Sequence, residues 1–201
     1  HPLGLWRRTT LAEYRSANPA WETVIDLDAL AAAEGVHWVW HGAAVLRPAF
    51  RKALVSLSRG GSDADVTREF DLVAKAFVAP EHGGFFRPES KGGLGWIDDD
   101  TVYAFTNLGD GASTTSGYPR VARRWTRGTP LESARTVYEG LAGDMYISAF
   151  RMHTPGFERD FVARSLAFYS SELFLVTGGD RLLKVEAPLS AELSIRREWL
   201  L

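Results

Sequence analysis

From Gly35 onward the chain is a series of short apolar segments, each alternating with polar residues and bounded by turn residues. Alternation at a period of two, punctuated by Gly, Pro, Asn and Asp, predicts β-strands. Before Gly35 the pattern favours two short helices, over 11–17 and 27–34, the second ending at Gly35. We therefore expect an all-β chain with short N-terminal helices.

The predicted strands fall into three consecutive sets of four. In each set an aromatic-rich strand is followed by an apolar one, then by one with alternating charge and by a last one. The strands are predicted at 37–46, 52–61, 65–72 and 75–80; at 92–97, 101–109, 120–128 and 134–140; and at 145–152, 172–179, 181–189 and 195–201. In the third set, HTPGFERDFVARSLAFYS (153–170) is interpreted as an inserted loop.

A repeat accompanies these sets. Val24, Phe77, Val137 and Trp199 are predicted to occupy equivalent fourth-strand positions, and subtraction of their numbers gives intervals of 53, 60 and 62 residues. Four strands per repeat of that length indicate β-propeller blades. A β-sandwich is the alternative architecture, although it predicts no fixed period.

The expected fold is thus a partial β-propeller of about three to four four-stranded antiparallel blades. The first part, 1–35, is predicted to carry the fourth strand of a preceding blade. The blades themselves are predicted over 36–80, 81–140 and 141–201.

Composition narrows the functional classes. With 45% hydrophobic and 24% charged residues and a net charge of −2, the chain has no excess charge to attract nucleic acid or an anionic membrane. The absence of cysteine excludes disulfides and thiolate sites. The start, HPLGLWRRTT, has neither the apolar stretch of a signal peptide nor an initiator Met, so we expect the chain to begin inside a longer one. We expect a cytoplasmic protein that needs no cofactor.

Several stretches resemble the N-terminal propeller of the prolyl oligopeptidase family of serine peptidases. They are GLWRRTTLAEY (4–14), PAWETVIDLDAL (19–30), LVSLSRGGSDA (54–64), REFDL (68–72), SGYPR (116–120) and TPGFERDFV (154–162). In that family a seven-bladed propeller caps an α/β-hydrolase domain, and its central tunnel selects the peptides that reach the active site. The resemblance implies that fold and that gating role, with the hydrolase domain and peptides as partners.

The family's catalytic Ser, Asp and His belong to the hydrolase domain, and nothing in this chain matches it. A nucleophile elbow reads G-x-S-x-G between a strand and a helix. The nearest strings, SRGG (58–61) and GAST (111–114), lack that pattern. We therefore predict no catalytic residue here and no peptide cleavage by this chain alone. The competing hypothesis is a stand-alone propeller-like module that binds a protein partner.

Two polar stretches are candidates for chemistry. In WIDDDTVY, three adjacent carboxylates, Asp98 to Asp100, suggest a metal site, but neighbouring strand residues point to opposite faces, so a hairpin turn is favoured. The loop NLGDGASTTSGYPR (107–120) is longer than a usual hairpin loop. Tyr118 and Arg120 are its candidates for an interdomain or peptide contact, against the plain alternative of local packing around Pro119.

The arginine-rich segment and the histidines are interpreted as structural rather than as binding sites. ARRWTRG (122–128) interleaves arginines with a tryptophan, but a strand places Arg123 and Arg124 on opposite faces, so we expect a solvated outer strand and no nucleic acid. The histidines show no metal-ligand spacing. Because an incomplete propeller leaves its terminal faces uncovered, we expect the isolated chain to self-associate.

Overall fold

The structure is a computed structural model that describes residues 1–201. Its helices are α1 (Leu11–Tyr14) and α2 (Leu27–Glu34), and its strands are β1 (Leu5–Arg8), β2 (Glu22–Asp26), β3 (Trp38–Val45), β4 (Lys52–Arg59), β5 (Asp65–Asp71), β6 (Ala76–Phe77), β7 (Phe86–Ser90), β8 (Gly92–Trp96), β9 (Thr101–Thr106), β10 (Val121–Thr126), β11 (Arg135–Glu139), β12 (Tyr146–Met152), β13 (Arg159–Ala167), β14 (Ser170–Thr177), β15 (Arg181–Lys184), β16 (Ile195–Arg196) and β17 (Trp199–Leu200). No helix has the length and apolar character needed to cross a membrane.

Three antiparallel sheets follow one another along the chain. The first sheet runs β3-β4-β5-β6 with β7 also on β5, the second runs β8-β9-β10-β11, and the third runs β12-β13-β14-β15. Two-stranded sheets, β1-β2 and β16-β17, lie at the two ends of the chain. The predicted all-β architecture of four-stranded antiparallel blades is confirmed.

Each apolar cluster joins one sheet to the next. One cluster packs β2 and α2 on the first sheet through Val24, Leu27 and Val55. A second cluster joins Leu54 of the first sheet to Trp96 and Val102 of the second. The third cluster joins the second sheet to the third; its buried residues are Ile97, Tyr103, Ala122, Val137, Ile147, Ala149 and Val162. The sheets are therefore stacked face to face in chain order, as blades are.

Adjacent residues of β9 show how one strand serves two interfaces. Val102 and Tyr103 are both fully buried, yet Val102 belongs to the cluster with the first sheet and Tyr103 to the cluster with the third. Side chains alternate between the faces of a strand, so a sheet packed on both sides has apolar residues at consecutive positions.

An ion pair reinforces the contact between the first and second sheets. Glu69 of β5 is only 1% exposed, and its carboxylate accepts hydrogen bonds from both terminal nitrogens of Arg127 at 2.8 and 3.2 Å. The backbone N–H of Phe85 donates to the same carboxylate at 3.0 Å. The buried charge is thus paired and hydrogen-bonded, which burial of a carboxylate requires.

Helix α2 has the bounds predicted from the sequence. The Asp26 side chain accepts hydrogen bonds from the backbone N–H groups of Asp28 and Ala29, and Gly35 ends the helix with φ of 65°. Helix α1 is shorter than predicted because it ends at Tyr14.

In the third set, the strands predicted at 145–152, 172–179 and 181–189 correspond to β12, β14 and β15, but the predicted loop and the predicted last strand were wrong. Residues 159–167, interpreted as an inserted loop, form β13, the second strand of the third sheet. The fourth strand is β15, and Trp199 lies instead in the separate β16-β17 hairpin, largely exposed. The charged residues of β13 are accommodated by ion pairs. Asp160 pairs with Arg151 at 2.9 Å, and Arg164 pairs with Asp144 and Glu172 at 2.8 and 3.1 Å.

In the first sheet the position of the fourth strand is shared by two short strands, β6 and β7, which both pair with β5. Residues 78–85 leave the sheet between β6 and β7, while Glu69 still accepts from Val78 and donates to Phe85 through its backbone. Strand β7 therefore belongs to the first sheet although it lies beyond residue 80. Val24 lies on β2, which pairs with β1. The division into 1–35, 36–80, 81–140 and 141–201 stays a prediction.

Candidate functional site: a cavity where equivalent loops converge

A cavity of about 580 Å³ lies where parts of all three sheets meet. Its lining residues are His41, Asp63, Asp65, Gly92, Ser116, Tyr118, Met145, Tyr146, Ser165 and Phe168. Most pockets that bind small groups combine apolar walls with a few fixed polar atoms, and this lining has both.

The topology explains why these residues meet. In each sheet the second and third strands are connected at the same end of the strands, and all three of these connections reach the cavity. Asp63 lies between β4 and β5, Tyr118 between β9 and β10, and Phe168 between β13 and β14. Half of the lining residues lie in loops and half lie on strands of the three sheets. The loops can vary without disturbing the sheets that hold them.

Tyr118 joins two of these loops. Its hydroxyl donates a 2.6 Å hydrogen bond to Asp63, which raises the pKa of Tyr118 above its ordinary value. The same hydrogen bond, followed by the Lys91 ammonium at 2.9 Å, lowers the pKa of Asp63. Lys91 also lies 4.3 Å from the Tyr118 ring centroid. The structure thus places Tyr118 at the cavity; its contact with a peptide or another domain stays a prediction.

Arg120, the other predicted contact residue, is held within its own sheet. Its guanidinium donates to the carbonyl oxygens of Gly111 and Gly140 at 2.8 and 3.0 Å and pairs with Glu139 at 2.9 Å. These bonds fasten the long loop to the end of β11. Arg120 does not line the cavity, and its role in an interdomain contact stays a prediction.

The cavity rests on a buried polar network. Arg87 is 0% exposed, and its guanidinium donates to Asp65, to the Thr67 hydroxyl and to Ser90. Burial lowers the pKa of Arg87, although the neighbouring Asp65 carboxylate opposes this effect. His41 Nδ1 lies 3.1 Å from Asp65 Oδ2. The network fixes Asp65 from both sides and so keeps the cavity floor in place.

Tyr146, at the start of β12, forms one wall. Its ring meets Phe105 and Tyr118 edge-on at centroid distances of 6.1 and 5.9 Å. Burial raises the pKa of Tyr146 to about 12, so its phenol is neutral at physiological pH. Gly92 allows the close approach here, because a side chain at Gly92, where φ is 123°, would meet the Phe105 carbonyl oxygen at 2.0 Å.

Sequence reasoning missed His41, Asp63, Asp65 and Tyr146. The first three lie in segments that we interpreted only as strands and turns. The string SDAD (62–65), with two carboxylates at the turn into β5, was the available signal. No local sequence pattern indicates that Tyr146 lies near this string, because Tyr146 belongs to the third sheet and the string to the first.

The other stretches have structural roles. Asp98–Asp100 form the predicted β8–β9 turn, in which the Asp100 backbone N–H donates to the Asp98 side chain at 2.9 Å. The Ser116 hydroxyl bonds to Thr114 at 2.9 Å. Arg124 donates to the Tyr103 hydroxyl at 3.2 Å.

One group of side chains has the composition of a metal site. His1 Nδ1 lies 3.1 Å from an Asp26 oxygen and 3.9 Å from an Asp28 oxygen. Both carboxylates already accept backbone N–H groups, those of Asp28 and Ala29 for Asp26 and that of Leu3 for Asp28. These bonds give the two carboxylates a structural role at the start of α2.

Comparison with known proteins agrees with this architecture. The chain is 40% identical over 194 residues to an uncharacterized peptidase of Sinorhizobium fredii and 30% identical over 206 residues to an uncharacterized peptidase of Rickettsia prowazekii. A solved post-proline cleaving enzyme from Rickettsia typhi matches 98% of the chain with a TM-score of 0.86 and 29% identity. The resemblance to the prolyl oligopeptidases is confirmed.

The match covers only part of each relative. The chain spans 26% and 28% of the two peptidases and 30% of the Rickettsia typhi enzyme. Oligopeptidase B from Leishmania major shares the fold at a TM-score of 0.66, with 12% identity. No protein-family model matches the chain.

Replacing Arg120 tests whether it anchors the long loop. Arg120→Ala removes the bonds to Gly111, Gly140 and Glu139, so the loop over 107–119 should open more often. We expect cleavage of this loop by proteinase K to become about tenfold faster. Arg123→Ala is the control, because the Arg123 guanidinium makes no hydrogen bond within the chain. Equal cleavage rates in the two variants would contradict the anchoring role.

Proposed function

We propose that this chain is the propeller portion of a prolyl-oligopeptidase-like serine peptidase and that it restricts which substrates reach a hydrolase domain. That domain is the C-terminal α/β-hydrolase part of the same polypeptide and lies outside this chain. The observation that carries the proposal is the match over 98% of the chain to a post-proline cleaving enzyme of which it spans 30%. The proposal retains the expected cytoplasmic location, which cell fractionation tests.

The mechanism is steric exclusion by a rigid wall. Sheets packed face to face resist deformation, because their contacts are close-packed apolar side chains. The second-to-third-strand loops stand at one edge of this wall, where an approaching substrate meets them. A flexible peptide passes such loops in an extended form, whereas a folded protein is too wide.

The long β9–β10 loop allows a direct test of gating. In the longer polypeptide, residues 109–117 would be replaced by a two-residue Asn-Gly turn. We expect kcat/KM for a short proline-containing chromogenic peptide to stay within about twofold of its original value. For a long peptide, kcat/KM should rise several-fold, because the obstruction at the edge is smaller.

Two controls accompany this experiment. Asp98→Asn alters a turn of the same sheet away from the cavity and should leave the ratio of the two kcat/KM values unchanged. The isolated 201-residue chain should cleave neither peptide. An unchanged ratio in the loop variant, or turnover by the isolated chain that is lost in Ser113→Ala or Ser116→Ala, would contradict the proposal. A full-length protein that cleaves neither peptide would favour the alternative, a stand-alone propeller-like module that binds a protein partner.

Self-association of the isolated chain is part of the same proposal. The outer face of the third sheet carries Leu183, which is 61% exposed, and borders a 460 Å³ cavity under residues 189–195. Apolar surface of this kind is normally covered by a neighbouring sheet or subunit.

Sedimentation velocity of the 201-residue chain tests this expectation. We expect a concentration-dependent dimer that Leu183→Lys weakens, because the charge would be buried in the contact. Leu141→Lys is the matched control, since Leu141 is 64% exposed in a loop between the second and third sheets. A monomer at all concentrations, or equal effects of the two variants, would show that this face does not mediate association.

A further inference from the structure

We propose that the cavity binds a positively charged peptide side chain, the guanidinium of arginine or the ammonium of lysine. The inference refines the proposed function by naming the substrate group that the propeller recognises. It concerns binding to this chain alone and requires no cleavage.

The lining carries several free polar atoms that can accept a hydrogen bond. Asp63 uses Oδ2 for Tyr118 and Lys91, which leaves Oδ1 without a partner. His41 directs Nδ1 to the Asp65 carboxylate at 3.1 Å, and its Nε2 makes no hydrogen bond within the chain. The Tyr146 and Ser165 hydroxyls make no hydrogen bond within the chain. A ligand that supplies several N–H donors satisfies this set.

The positive charges nearby are already used. Arg87 is fully buried, and its N–H groups point to Asp65, Thr67 and Ser90. Lys91 is paired with Asp63 and lies against the Tyr118 ring. Neither cation lines the cavity, so an anionic ligand would meet carboxylate oxygens without a compensating positive charge.

Aromatic rings complete the site. Phe168 lines the cavity at its rim and is 87% exposed, so its ring is available to a ligand. Tyr118 and Tyr146 meet edge-on at a centroid distance of 5.9 Å and form an aromatic wall beside Asp63. Ring faces attract cations, and Lys91 at 4.3 Å from the Tyr118 centroid shows that this wall accepts an ammonium group. Carboxylate, phenol and ring faces together are the features that recognise a guanidinium or ammonium.

Calorimetric titration of the 201-residue chain with blocked tripeptides tests the inference. The probes are acetyl-Gly-Arg-Gly-amide, its lysine analogue and its citrulline analogue, which keeps the shape of arginine without the charge. We expect the arginine and lysine peptides to bind at least about fivefold more tightly than the citrulline peptide. The order of the first two identifies whether guanidinium or ammonium is preferred.

Matched variants locate the binding. Asp63→Asn should weaken binding of the cationic peptide about five- to tenfold, whereas Asp99→Asn, which breaks a similar exposed pair with Lys52 at 2.9 Å, should leave it unchanged. Phe168→Ala should weaken it about threefold, and Tyr169→Ala should not, because Tyr169 lies beside Phe168 but outside the cavity.

Equal binding of arginine and citrulline peptides would overturn the inference, as would equal effects of the Asp63 and Asp99 variants. Because no cleavage is measured, such a result leaves the gating proposal intact. Conversely, a failure of the loop experiment in the longer peptidase leaves cation binding by this cavity intact.

Discussion

The structure depends on one packing constraint, that each sheet is apolar on both faces and requires a neighbour on each side. Val102 and Tyr103 express it most clearly, since consecutive residues of one strand are buried in two different clusters. No single sheet in this chain can be stable alone, because half of its apolar area would face water. Stacking in chain order satisfies the constraint with short connections, and the Glu69–Arg127 pair fixes the relative position of the first two sheets.

Function follows from the parts of the chain that this constraint leaves free. The sheets bury their faces but not the loops at their edges, so loop length and chemistry vary without loss of the core. The β9–β10 loop extends to the first sheet, where the Tyr118 hydroxyl donates a hydrogen bond to Asp63. The cavity therefore combines a rigid base, built by Arg87 and Asp65, with rim residues that come from loops. The two proposals, exclusion of large substrates and recognition of one side chain, are compatible because both use the loops at the same end of the sheets.

The sequence predicted those features that depend on local patterns. Helix α2 was placed correctly because Asp26 and Gly35 supply its cap and its end, and the Asp98–Asp100 turn because aspartates satisfy their own backbone. Strand β13 was missed although its charges are satisfied within the sheet, Asp160 by Arg151 of β12 and Arg164 by Glu172 of β14. The cavity was missed apart from Tyr118, because His41, Asp63 and Tyr146 meet only after three sheets have stacked.

The Glu69–Arg127 contact offers the most direct test that the first and second sheets pack as neighbouring blades. A double-mutant cycle would compare the free energies of unfolding of Glu69→Gln, Arg127→Met and the double variant with that of the original chain. We predict a coupling energy of about 1–3 kcal/mol, since the two residues share two hydrogen bonds across the sheet interface. Strictly additive effects would mean that the two sheets do not face each other in this way.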